Sequence, residues 1–204
     1  MSFQAFALVV MAWAATTASA PVQPPKAVTV RPNPNPASPV QAPAPTWAQP
    51  VKVPGLPNFA RISKQLLRGG QPNAAGFEAL KEIGVAIVVN LRHEGVEIER
   101  ERALVQAQGM QDVSIPWRGS NEPDAGQIAE FLEVLRANAD KQIFVHCQRG
   151  AERTGVMAAC YRISVDKWTA EQALQEMEQF GFRGLRFRHL KKFVREYQDR
   201  RQGP

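Results

Sequence analysis

Apolar and polar positions along this chain follow two periods in turn. Residues 85–91 read Val-Ala-Ile-Val-Val-Asn-Leu, almost wholly apolar and rich in β-branched side chains, the composition of a buried strand. Residues 142–145 make a second such run, residues 112–115 a shorter one, and residues 59–68 hold one or two short strands with a turn around Ser63-Lys64. Between these runs the period becomes helical. Asn73 caps a helix that runs to about Ile83 and is ended by Gly84. Residues 96–108 form a charged helix that Gly109 terminates, and Ile128, Phe131, Leu132 and Leu135 mark an amphipathic one. A helix-like segment covers residues 156–163. Thr169 and Gln172 make a capping-box pair for a helix with Ala173, Leu174 and Met177 inward, closed by Gly181. Leu190, Phe193, Val194 and Tyr197 define the last helix. Strands alternating with helices predict an α/β fold, with a mostly parallel central sheet flanked by helices on both faces. In such sheets ligands collect at the carboxyl ends of the strands.

The first 57 residues carry neither period. An apolar run of 11 residues, from Ala5 to Ala15, is too short to span a bilayer and leads into Ala18-Ser19-Ala20. That layout predicts a signal peptide over residues 1–20 and export to the periplasm, cell envelope or medium. No Lys or Arg precedes the run, and Pro21 opposes a cut after Ala20, so a cut after Ala18 or an uncleaved anchor are the alternatives. Contact with a membrane is expected only in the uncleaved case. Residues 21–57 hold 12 of the 16 prolines and read as a disordered, semi-rigid linker. The folded domain is thus expected over residues 58–204, as a monomer.

Charge adds little. Of the net +6, Lys26, Arg31 and Lys52 supply half, which leaves the domain at +3. This is a mild bias toward anionic substrates, and no interleaved aromatic and basic patch points to nucleic acid. Two cysteines make no disulfide framework. Cys160 shares a helix face with Val156, Ala159 and Ile163, as a small core residue would; the sharper alternative is a backup thiol that bonds Cys147 under oxidation. Apart from His146 there are only His93 and His189, so no metal and no cofactor are expected.

The chemistry is concentrated in His146-Cys147-Gln148-Arg149-Gly150-Ala151-Glu152-Arg153-Thr154-Gly155. The stretch lies between the apolar run Ile143-Phe144-Val145 and a helix. A strand, a tight loop and a helix N-terminus bring unpaired N–H groups and a positive dipole end together, which suits an anion. A thiol there is favoured as thiolate, the nucleophilic form. Arg153 offers a planar fork to two phosphate oxygens. The expected reaction is phosphate ester cleavage through a phosphocysteine intermediate, on a phosphorylated protein or a small phosphoester.

His-Cys, five residues, Arg, Thr and Gly together resemble the signature of the cysteine-dependent protein tyrosine phosphatases. The position of the loop, about two-thirds along the chain, is similar to that in dual-specificity phosphatases. Leu67-Arg68-Gly69-Gly70-Gln71-Pro72 and the segment from Gly84 to Arg92 resemble the compact bacterial, plant and fungal dual-specificity-like group. The resemblance covers roughly residues 58–200. It implies that Cys147 is the nucleophile and Arg153 the phosphate clamp. Backbone N–H groups of Gln148, Arg149, Gly150, Ala151, Glu152 and Arg153 would line the phosphate, with His146 hydrogen-bonded to backbone around the loop. Thr154 would donate to the cysteine sulfur or else cap the helix.

The family's general acid lies near the end of the strand that finishes here at Ile115, where residues 115–118 contain no Asp. Asp124 is slightly favoured as proton donor over Glu122, with Asp112 a further candidate, and Asp124 is equally suited to cap the helix that follows. Arg68, Arg92 and Trp117 are candidates for the pocket wall or for structural roles. One branch of the group acts on inositol pyrophosphates and has basic residues where Ala151 and Glu152 stand; Glu152 is expected to repel so charged a substrate. A phosphate-binding protein without turnover and a thiol sulfurtransferase are the other two functions weighed.

Overall fold

The computed structural model describes residues 46–202 apart from residues 94 and 120; the expected signal peptide and most of the expected linker lie outside them. Among the described residues six strands form one sheet: β1 (Gln49–Pro50), β2 (Ala60–Arg61), β3 (Leu66–Gly69), β4 (Val85–Asn90), β5 (Gln111–Ser114) and β6 (Gln142–His146). The helices are α1 (Ala74–Ile83), α2 (Val96–Ala107), α3 (Ala125–Ala137), α4 (Glu152–Ser164), α5 (Ala170–Gln179) and α6 (Arg188–Gln202). Strand order is β1-β2-β3-β6-β4-β5. The pairs β3/β6, β6/β4 and β4/β5 are parallel, whereas β1/β2 and β2/β3 are antiparallel. The parallel part runs from β3 to the β5 edge and the two antiparallel strands lie at the other edge, so the sheet is mostly parallel, as the alternation of strands and helices predicts.

Each face of the sheet takes alternate residues. Leu67, Val88 and Phe144 pack with Phe77 and Leu80 of α1 and Val105 of α2. Leu66, Ile87, Val89, Ile143 and Val145 point the other way, toward α3, α4, α5 and α6. Burial on both faces explains why these strands read as continuous apolar runs. The caps form as their residue types require: Asn73 accepts from Gly76 N–H at 2.9 Å, and Gly84 ends α1 at φ 93°. Thr169 and Gln172 close a capping box on α5.

The domain starts earlier than residue 58. Residues 46–57, assigned by their prolines to the linker, are folded. Trp47 packs on Trp168 with ring centroids 4.8 Å apart. Ala48 N–H donates to Glu176 Oε2 at 2.9 Å, and Arg162 Nη2 donates to the Thr46 carbonyl at 3.1 Å. Pro50 is tolerated because β1 is the edge strand, where a missing N–H breaks no ladder.

Candidate active site

β6 is an inner strand of the parallel part, between β3 and β4, and the chain leaves its carboxyl end at His146. Residues 147–151 then turn into α4, which begins at Glu152, one turn before the apolar stripe that marks it in the sequence. Helices α1, α3 and α5 each have a side chain capping their first N–H groups; α4, with Ala151 at its N-cap, has none. Its first N–H groups therefore remain available to an anion.

The loop is braced from behind. Gly150 sits at φ 71°, and a Cβ there would lie 2.5 Å from the Gly69 carbonyl carbon and the Gly70 nitrogen. Asn58 Nδ2 donates to the Arg149 carbonyl at 3.2 Å, Arg68 Nη2 to that of Gly150 at 2.6 Å, and Gln71 N–H to that of Gln148 at 3.2 Å. These bonds turn the loop's carbonyls away from the cleft.

The cleft has a volume of about 270 Å³. Cys147, Gln148, Arg149, Glu152 and Arg153 line it, together with Gly119 from the β5–α3 segment and Arg186 and Phe187 from the α5–α6 segment. Cys147 lies at its floor, 2% exposed. Arg153 Nη1 donates to the carbonyls of Leu91 at 3.1 Å and Trp117 at 3.2 Å, which fixes the plane of the guanidinium. Larger clefts exist along residues 50–59 and between α3 and α6, yet neither is lined by a cysteine or histidine.

Several expectations change here. His146 Nε2 bonds Glu101 Oε1 at 2.7 Å rather than backbone, and its ring stacks on Phe144. Gln71 Nε2 donates to the second oxygen of Glu101 at 2.6 Å, and Arg92 reaches Gln71, Glu97 and Glu101. Burial opposes the charge on Glu101, but the bond from His146, its charge, and then Gln71 and Arg92 outweigh it and hold the carboxyl below its ordinary range. Glu101 was legible only through its spacing: Ile98, Glu101 and Val105 share the buried face of a helix whose charge suggests exposure. Thr154 Oγ1 donates to the Gly69 carbonyl, at 3.4 Å, and not to the cysteine sulfur.

The three acid candidates lie elsewhere. Asp124 Oδ1 accepts from Gln127 N–H at 2.8 Å and Gln127 Oε1 from Asp124 N–H at 2.9 Å, a complete capping box on α3. Asp112 accepts from Arg102 Nε at 3.0 Å on β5, and Glu122 is exposed. Among the described residues Glu152 is the one carboxylate on the cleft, and its Oε1 is held by Arg149 at 2.7 Å and Arg183 at 3.3 Å. Its charge is thus taken up within the protein, and the repulsion of polyanions expected of it does not follow. Because asparagine also caps helices well, Asp124→Asn should keep turnover within about twofold and leave the basic limb of the pH–rate profile in place. Loss of that limb in the variant would restore Asp124 as proton donor.

Cys160 is fully buried on α4, and burial pushes its thiol up against the weaker opposing effect of Arg200. It lies about 12 Å along the helix from Glu152, at about 1.5 Å per residue. Both thiols are free. Among the described residues no group of His, Cys, Asp and Glu is arranged to hold a metal ion.

Residues 54–196 match the family model described as a DSP-PTPase phosphatase fused to NAD+ kinase. The dual specificity protein phosphatase TpbA of Pseudomonas aeruginosa (strain UCBPP-PA14) is 33% identical over 139 residues, 68% of this chain and 61% of that protein. Inositol diphosphatase DSP2 of Oryza sativa subsp. japonica is 31% identical over 135 residues, 64% of each chain. A crystal structure of P. aeruginosa TpbA in complex with pTyr superposes with a TM-score of 0.64 at 27% identity, covering 79% of this chain and 99% of that one. The chain spans about six-tenths of the length of the curated relatives it matches.

Proposed function

The chain belongs to the DSP-PTPase phosphatase family, and from that premise we propose that it hydrolyses phosphomonoesters, aryl phosphates such as phosphotyrosine foremost, through a phosphocysteine intermediate. The carrying observation is Cys147 on the floor of a cleft that also holds the uncapped start of α4 and the anchored Arg153. Cys147 Sγ attacks phosphorus as thiolate; the S–P bond forms as the P–O bond opposite breaks. The loop N–H groups and Arg153 gain most when charge spreads over the three equatorial oxygens. Water then attacks the phosphocysteine, breaking S–P, and phosphate leaves with the thiolate restored.

The leaving oxygen decides the substrate. Among the described residues no carboxylate on the cleft stands free to protonate it. A tyrosyl oxygen, with an ordinary pKa of about 10, departs as an anion far more readily than an alkyl oxygen does. Phe187 on the cleft wall offers its ring to an aryl group, and the relative TpbA has been crystallised with pTyr. A more highly charged small phosphoester is the second reading, supported by Arg186, which has no carboxylate partner among the described residues.

Phosphate release from a phosphotyrosine peptide, a phosphoserine peptide and an inositol pyrophosphate, beside sulfur transfer from thiosulfate, tests the proposal. The aryl ester should be turned over fastest, and Phe187→Ala should lower kcat/KM for it by about 2–10-fold while sparing the alkyl ester. Sulfur transfer without phosphate release would sink the proposal; preference for the inositol pyrophosphate would establish the second reading.

A further inference from the structure

Arg68 is 0% exposed beneath the loop and carries a charge that the mechanism above does not use. In the β3/β6 register it stands opposite Val145, with Gly69 opposite His146, so it flanks the strand end from which Cys147 emerges. Its Nη2 donates to the Gly150 carbonyl, and its guanidinium lies 3.9 Å from the centroid of the Phe180 ring. Nε and Nη1 are buried and have no hydrogen-bond partner. Arg162, the other deeply buried arginine, differs: Glu176, Asp166 and the Thr46 carbonyl take up its donors. A buried charge costs several kcal/mol unless something of opposite sign compensates it, and no carboxylate hydrogen-bonds to Arg68.

We propose that Arg68 is the buried counter-charge of the Cys147 thiolate, a positioning residue that holds Gly150 from below and sets how readily the thiol ionises. This rests on the reading of Cys147 as the nucleophile. The charged groups that act on Arg68 through their fields are Glu176 from α5, then Cys147, and Arg162 from α4. Glu176 is already engaged by Arg162 and the Ala48 N–H, which leaves the thiolate as the anion not otherwise partnered. Burial lowers the Arg68 guanidinium to about 10, against the raising effects of Glu176 and then Cys147, so it stays a cation at neutral pH. Attraction between two charges is mutual, so the guanidinium favours the thiolate as the thiolate favours it. Around Cys147 the remaining charges are Arg149, Arg153 and Arg186, with Glu152 and the His146–Glu101 pair bonded within the protein.

The rate of Cys147 alkylation by iodoacetamide against pH, followed by mass spectrometry, tests this in wild type, Arg68→Met and Arg68→Gln. Cys160, buried, serves as the internal unreactive thiol. An apolar chain of similar volume at an under-partnered buried charge is generally tolerated, and thermal melting checks that the variants fold. The alkylation midpoint should rise by about one pH unit in both variants, slowing the reaction below the wild-type midpoint about tenfold. An unmoved midpoint in either folded variant overturns the proposal. So does failure of both to fold, which would make Arg68 a requirement of the core. Should wild type release no phosphate, the phosphatase reading falls while the alkylation comparison still decides this one.

Discussion

Cys147→Ser protein is expected to release phosphate from p-nitrophenyl phosphate at least about 10⁴-fold more slowly than wild type. A serine hydroxyl at this position has the same neighbours but is not ionised near neutral pH, so the step that forms the bond to phosphorus is lost. The rest of the site is untouched, because the N–H groups come from backbone and Arg153 is anchored by the Leu91 and Trp117 carbonyls. The variant should therefore still bind a phosphotyrosine peptide, with an affinity within about tenfold of the wild-type KM. Calorimetric titration with the peptide, beside a single-turnover phosphate assay, measures both. Turnover that survives the substitution would remove Cys147 as nucleophile; loss of binding as well as turnover would mean that the loop had collapsed.

Gly150→Ala carries the second large effect, through shape alone. The residue sits at φ 71°, where a Cβ costs about 1–2 kcal/mol, and that Cβ would lie 2.5 Å from the backbone of Gly69 and Gly70. Backbone of β3 and the segment after it cannot yield as a side chain would, so the loop must move outward. The Arg68 bond to the Gly150 carbonyl stretches, and the N–H groups lose their common focus. A cost of about 3 kcal/mol would lower the melting temperature by about 6–12 °C, and kcat/KM should fall by about 100-fold or more. Differential scanning calorimetry and steady-state assays check the pair of effects. Wild-type turnover in this variant would show that the loop's curvature is not what holds phosphate.

How much of this is legible in the sequence depends on how local the cause is. The loop is, because strand, glycine, arginine and helix follow one another within residues 143–155. The caps at Asn73 and Thr169 are, for the same reason. Asp124 was ambiguous: one carboxylate suits both a helix cap and an acid, and only Gln127 three residues on, completing the box, separates them. The partners of Glu101 and Arg68 were not legible: Glu101 showed only as a buried position on its helix, and Arg68 only as a candidate for the pocket wall or a structural role. Each acquires its role from a partner far along the chain, His146 in one case and Gly150 in the other, and Glu101 sits in a helix whose charge suggests solvent. Residues 46–57 misled in the opposite direction. Their prolines signal an unfolded tether, while Trp47, Ala48 and Leu56 find cover only once α4, α5 and the sheet exist.

The fastening of residues 46–48 has a mechanical meaning. A pull on the chain from its N-terminal side enters the domain there, and β1, two residues long, offers little resistance to it. The load passes instead to Glu176 on α5 and Arg162 on α4, through the Ala48 N–H and the Thr46 carbonyl. α4 is the helix whose first turn lines the Cys147 cleft. Tension entering at residue 46 is therefore delivered along the helix that carries the Cys147 loop at its other end.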